Sequence, residues 1–351
     1  MFFKLLKDAL KVKNVRNKIL FTIFIIFVFR VGTHVTVPGI NAESLKQLSD
    51  LPFLNMLNLV SGNAMNNFSI FSMGVSPYIT ASIIVQLLQM DIYPKFVEWG
   101  KQGEVGRRKL NQATRYITLV LAFVQSIGIT ASFNTLSSIS LVKTPNVSTY
   151  LLIGTILTAG SRIVTRLGEQ ITDKGFGNGV SMIIFSGIIA SIPKMFSTIY
   201  EDFFVNVRSG ELTRSYIIVA LLIVVGLAIV FFTTFVQQAE YQIPIQYTKL
   251  VQGAPTSSYL PLKVNPAGVI PVIFASSITT IPSTILPFFS KVTWLSHLQG
   301  LLSYNTPSGM ITYAILIILF SFFYTFVQVN PEKTAENLQK NGCTRSSANI
   351  L

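Results

Sequence analysis

Residues able to do covalent or proton chemistry are scarce in this chain of 351 residues. Against 27 Lys and Arg there are 14 Asp and Glu, two histidines and one cysteine. Every carboxylate falls between the long apolar runs or at their edges, and His34 and His297 lie near the outer ends of such runs. A proton- or sodium-coupled transporter keeps carboxylates or histidines inside the membrane, so a small-solute transporter is the disfavoured reading. No stretch reads as a phosphate-cradling loop, a metal cluster, or a nucleophile with its base. The chain is therefore expected to be no enzyme and to hold no metal or cofactor, and its path is passive, driven from elsewhere. Cys343 allows no intrachain disulfide and is assigned no role. Arg162 and Arg166 stand four apart in an otherwise apolar run and share a helix face. An arginine in mid-bilayer is costly, so they are expected near the inner end, snorkelling to phosphate headgroups.

The elements around these residues must be helices in a bilayer. Half of the residues are hydrophobic, 12% are charged, and 27 are Phe; mean hydropathy is +0.55. A soluble domain carries about a quarter charged residues. Spans need about 20 apolar residues, and eight candidates follow, at about 19–37, 68–90, 116–134, 150–167, 179–198, 215–236, 267–289 and 309–329. The fold class is all-α, a polytopic membrane helix bundle. An even count puts both ends on one side. Roughly 20 of the basic residues fall on that side, which makes it cytoplasmic by the positive-inside pattern. The net charge of +13 is thus topological before it is a nucleic-acid signal. Its clusters, Lys4 to Lys18 and Lys95 to Arg115, could also touch ribosomal RNA, anionic lipid or an acidic partner. The run Ile19 to Val31 lacks a following cleavage site and reads as a retained span. Gly74 and Pro77 interrupt the second span, and Pro266, Gly268, Pro271 and Pro282 the seventh. Such breaks belong where backbone faces protein or a water-filled cavity.

Five strings, in order, resemble the SecY family of bacterial protein-export channel subunits. They are FRVGTHVTVPGIN (Phe29 to Asn41), SIFSMGVSPYITASIIVQLLQMD (Ser69 to Asp91), KQGEVGRRKLNQATRY (Lys101 to Tyr116), GEQITDKGFGNGVS (Gly168 to Ser181) and PLKVNPAGVIPVIFASSI (Pro261 to Ile278). The resemblance implies two pseudo-symmetric halves that pass unfolded preproteins outward across the bacterial plasma membrane and release hydrophobic segments sideways into lipid.

It further implies a pore ring at Val75, Ile79, Val180, Ile184 and Ile273. The first four form two pairs at helical spacing, and a greasy ring resists ions by dewetting. It implies a plug over about Asn58 to Phe71, whose Ser61, Gly62, Asn63, Asn66 and Asn67 make a weak helix. The lateral gate falls at Thr80 and Gln86, faced by Ser276 and Ser277. Motor or ribosome docking falls to Arg107, Arg108 and Lys109, and to Tyr247 and Lys249 in the loop 237–263. The implied partners are SecE, SecG, the SecA motor or a ribosome, preproteins and membrane lipids.

The sequence departs from the family pattern in two places. One is the arginine pair, where the family has apolar and aromatic residues. The other is the end: Val329 to Gly342 matches the start of a further cytoplasmic loop, and CTRSSANIL does not. The expectation is a channel segment over 1–342 with eight of ten spans and a tail over 343–351. The alternative to a working channel subunit is a nonfunctional truncated product.

Overall fold

In the computed structural model the apolar runs form helices, several of which start or stop at Pro, Gly or Asn. The structure describes residues 11–41, 61–62, 64–89, 93–136, 142, 145–205, 212–247, 258–285, 306–328 and 343–345. In chain order the helices are α1 (Lys13–Gly32), α2 (Ser76–Leu87), α3 (Pro94–Lys101), α4 (Gly103–Leu136), α5 (Val147–Lys174), α6 (Gly179–Tyr200), α7 (Leu212–Gln238), α8 (Ile270–Ile285) and α9 (Pro307–Gln328). Among the described residues five helices are long and apolar enough to cross a membrane: Gly103–Ala131, Val147–Lys174, Gly179–Val205, Thr213–Gln238 and Pro307–Phe326. α4 has 34 residues, about 50 Å of helix. That exceeds a bilayer core, so its charged first turns extend beyond the hydrocarbon.

The chain divides into two units, Met1–Phe196 with Ser276–Tyr313, and Ser197–Ala275 with Ala314–Leu351. In the first, α4 packs along α5 and α2, and α1 along α5. Small residues allow the close approach, as is usual between membrane helices. The Ser126 hydroxyl donates to the Gly154 carbonyl at 3.2 Å, and a Cβ on Gly154 would stand 2.9 Å from Ile127. The α5–α6 turn is held from α1: the Phe176 N–H donates to Thr22 Oγ1 at 3.0 Å. Asn178 Oδ1 then accepts the Ser181 N–H at 3.2 Å, an N-cap that starts α6.

In the second unit a hairpin interrupts the helices. β1 (Glu240–Tyr247) pairs antiparallel with β2 (Ser258–Lys263), from Glu240 opposite Lys263 to Ile245 opposite Ser258. β1 also pairs with β3 (Cys343–Arg345), giving the order β2-β1-β3. The helical bundle thus carries a small sheet that the all-α expectation did not contain. Its first two strands occupy the loop expected for docking, and its third lies in the expected tail. Asn265 Oδ1 caps the turn into α8 by accepting the Gly268 N–H at 3.1 Å. Phe274 of α8 meets Phe320 and Tyr324 of α9 edge-on, each at 6.0 Å between centroids.

The expected second span, 68–90, is a helix only from Ser76. Before it lies a chain of turns, with Phe68 at φ +40° and Gly74 at φ +51°. Pro77, in the first turn of α2, has no N–H to leave unpaired there.

Candidate functional site

The described part of the segment expected to act as a plug is folded into the first unit as a buried stopper. Arg30 Nη1 donates to the Gly62 carbonyl at 2.7 Å. Gly62 sits at φ +69°, where a side chain would be strained. Two bonds tie the segment to the end of α1 and the stretch after it: Val37 N–H to Phe68 O at 3.1 Å, and Ile70 N–H to Val35 O at 2.9 Å. Internally, the Ser72 hydroxyl lies within reach of the Ala64 and Ser69 carbonyls, at 3.0 and 2.7 Å. The Ser161 hydroxyl of α5 donates to the Gly74 carbonyl at 3.2 Å.

Packing follows the same lines. Phe71 stacks on Phe29 at 5.9 Å with 7° between the ring planes. Met65, Phe68 and Met73 join Val37, Ile129, Val142, Ile153 and Leu157 in one apolar core. Two glycines leave the room. A Cβ on Gly32 would stand 2.0 Å from the Phe71 ring, and one on Gly160 would stand 1.9 Å from the Ile70 carbonyl oxygen. Among the described residues of this segment, Ser61 Oγ is buried without a hydrogen-bond partner. Such an orphan costs about 1–3 kcal/mol.

The stopper runs directly into the expected pore ring. Val75 is fully buried and Ile79, one turn on, is 8% exposed. Val180 and Ile184 are half-buried on α6, and Val180 lies against α5 beside Gly168. Ile273 is half-buried in the first turn of α8, in the second unit. Thr80 and Gln86, expected at the gate, both bond inside α2: Thr80 Oγ1 donates to the Ser76 carbonyl at 3.2 Å and Gln86 Nε2 to the Ser82 hydroxyl at 3.1 Å. Ser276 is half-buried on α8, and Ser277 is on the same helix.

Arg107, Arg108 and Lys109, expected to serve docking, are exposed on the first turns of α4. Arg108 pairs with Glu104 at 3.0 Å, and the Lys109 ammonium lies 6.0 Å from the Trp99 ring centroid. Tyr247 ends β1 opposite Cys343, and Lys249 lies outside the described residues.

One group of charged residues had no counterpart in the expected site. Glu169, expected at an edge, stands within α5 and takes Arg115 of α4 at 2.8 Å and Arg166 at 3.0 Å, with Arg162 at 4.0 Å. The i,i+3 spacing of Arg166 and Glu169 was readable. The partner from α4 was not, because 54 residues separate it from Glu169.

Comparison with known proteins covers nearly the whole chain. The family model described as SecY matches residues 69–347. A protein translocase subunit SecY of Streptococcus gordonii is 72% identical over 346 residues, covering 97% of this chain and 79% of that protein. Two solved structures share the fold. One is described as the structure of a protein conducting channel, with a TM-score of 0.62 at 16% identity, covering 95% of this chain and 78% of that one. The other is Sec61 in the canine ribosome-channel complex from the endoplasmic reticulum, with a TM-score of 0.59 at 16% identity and coverage of 95% and 79%.

Proposed function

The chain belongs to the SecY family of protein translocase subunits, and we propose on that premise how its residues serve the task. It is a membrane-embedded, protein-conducting channel subunit. We read it as a multi-pass protein of the bacterial plasma membrane with a cytoplasmic N-terminus, in keeping with the charge asymmetry. As a channel it has no reaction of its own to catalyse, and energy comes from the SecA motor or from a translating ribosome. SecE and SecG are its companion subunits.

The observation that carries the mechanism is the stopper over residues 61–62 and 64–74. It is buried against α1 and α5, and it leads straight into Val75 and Ile79. In the resting state it fills the space that a polypeptide needs. We assign five aliphatic side chains, Val75, Ile79, Val180, Ile184 and Ile273, to the pore ring. They offer no fixed hydrogen bonds to strip from a passing chain, and they keep ions out by dewetting. Thr80, Gln86, Ser276 and Ser277 line a seam through which an apolar segment reaches lipid by its own hydrophobicity. In-helix bonds satisfy Thr80 and Gln86, so opening the seam strands neither side chain. Arg107, Arg108 and Lys109, exposed on α4, and the β1–β2 hairpin with Tyr247 and Lys249 receive the motor or the ribosome.

The test is translocation of a preprotein into vesicles that carry this chain with SecE, energised by SecA. Protease-protected preprotein above the level of empty vesicles is the expected result. Background-level protection, with the chain folded and inserted, overturns the reading.

A further inference from the structure

We propose that the outer edge of β1 at Ile245–Tyr247 is a strand-addition site whose resident occupant is the chain's own Cys343–Arg345. This occupant guards the hairpin until a docking partner supplies an extended segment in its place. The guard role rests on the reading that the hairpin receives the motor or the ribosome; the strand site does not.

Two neighbours divide β1 between them. β2 pairs with Glu240 to Ile245 and β3 with Ile245 to Tyr247, so they overlap at Ile245 alone. The base of the hairpin is closed where the Val264 N–H donates to the Ala239 carbonyl at 3.1 Å. From there β2 reaches no further than Ser258, opposite Ile245. Gln246 and Tyr247 run on beyond it, and among the described residues β3 is the strand that pairs with them. A strand edge presents a row of backbone N–H and C=O groups, a ready template for another extended segment. Here the chain's own backbone fills that template.

The pairing is short for a local reason. A fourth pair on β1 would fall on Pro244, which has no N–H to give a ladder. Three residues are at the lower limit of strand length, and β3 is an edge strand in the order β2-β1-β3. Its release leaves the pairing of β1 with β2 in place. The rest of the hairpin is open to a partner: Tyr241 and Tyr259 are 69% and 57% exposed, and Glu240, Gln242, Pro261 and Lys263 are exposed with them. The stretch that β3 covers includes Tyr247, a residue assigned to docking. A partner that adds a strand there must displace β3, so its apparent affinity falls with the fraction of chains in which β3 is paired.

The native cysteine supplies the test. Tyr247→Cys puts a second thiol directly opposite Cys343. Opposed Cα atoms of an antiparallel pair stand about 4.5–5.5 Å apart, a span that a disulfide bridges. In the full chain, copper–phenanthroline with dioxygen takes two electrons and two protons from the thiol pair. The expected product is an intrachain disulfide, formed at a rate independent of protein concentration and read by loss of maleimide labelling. Q246C lies one residue off, on the opposite face, and should stay reduced over the same period. T344P/R345P removes a ladder donor whichever of the two neighbouring N–H groups faces β1. It should slow the Y247C crosslink roughly fivefold, the factor for one backbone hydrogen bond. T344A/R345A keeps both N–H groups and should crosslink at the unaltered rate.

The second arm measures binding of purified SecA to vesicles that carry the chain with SecE. Oxidised Y247C should bind more weakly than the same protein after reduction. T344P/R345P should bind roughly fivefold more tightly than the unaltered chain, since the competing strand is weakened by that factor. Crosslinking of Q246C as fast as that of Y247C, or a disulfide-linked dimer as the sole product, would overturn the strand site. A rapid intrachain crosslink, with SecA binding that neither oxidation nor T344P/R345P alters, would overturn the guard role. SecA that binds no form of the chain would overturn the docking reading and the guard role with it, while the crosslink still judges the strand site alone.

Discussion

Replacing Gly160 by alanine should loosen the stopper and make the resting channel leak. Gly160 lies on α5 against the backbone of Ile70, and an added Cβ would stand 1.9 Å from the Ile70 carbonyl oxygen and 2.8 Å from its carbon. Real Cβ atoms essentially never come nearer than 3.0 Å, so one side must move by about 1.1 Å, the difference between those distances. The obstacle is backbone, so no rotamer change relieves it. If the stopper yields, the Ile70 N–H bond to Val35 O, now 2.9 Å, lengthens toward 4 Å and is lost. Overpacking costs about 1–3 kcal/mol, which alone shifts the closed-to-open balance roughly 5- to 150-fold. The assay is ion conductance of the reconstituted channel without substrate, alongside thermal unfolding in detergent. Gly226→Ala is the control. An added Cβ there meets nothing within 4 Å, so conductance should hold and the helix should gain about 0.5–1 kcal/mol. Resting conductance of folded G160A no higher than that of the unaltered chain would refute the reasoning, as would an equal leak from G226A.

Phe71→Ala removes the ring stacked on Phe29 and should cost about 3–5 kcal/mol; thermal unfolding checks it, and a change under 1 kcal/mol would count against the packing role. Thr22→Val leaves the Phe176 N–H without its acceptor and should cost about 1–3 kcal/mol, read from the same melts. Val75→Asn with Ile79→Asn places amides in the ring and should raise conductance by wetting it; unchanged conductance speaks against the ring.

The parts of the fold legible in sequence were those with local causes. Runs such as Leu212–Gln238 are apolar on every side, and only a bilayer explains that. The break at Gly74 and Pro77 was visible as residue types, and it became the end of the stopper and the start of α2. The sheet was not read. EYQIPIQY and SYLPLK alternate as strands do, but each holds a proline, Pro244 and Pro261, which argues against a strand. The pairing that brings Cys343–Arg345 to β1 joins segments distant in the chain. The Arg115–Glu169 pair was hidden for the same reason, since helix packing and not spacing brings it together. Arg162 and Arg166 were read as departures that reach for headgroups. The structure adds the carboxylate that holds them and the Nη1 it leaves unpaired.

The measurement that bears most directly on the central claim is crosslinking of a stalled preprotein to single cysteines placed in turn at Val75, Ile79, Val180, Ile184, Ile273 and Leu222. Cys343, the one native cysteine, is first replaced by serine. Leu222 is exposed on α7 and should face lipid. The account predicts adducts at the five ring positions and none at Leu222. Adducts spread evenly over all six, or absent from the ring in a chain that still translocates, would contradict it.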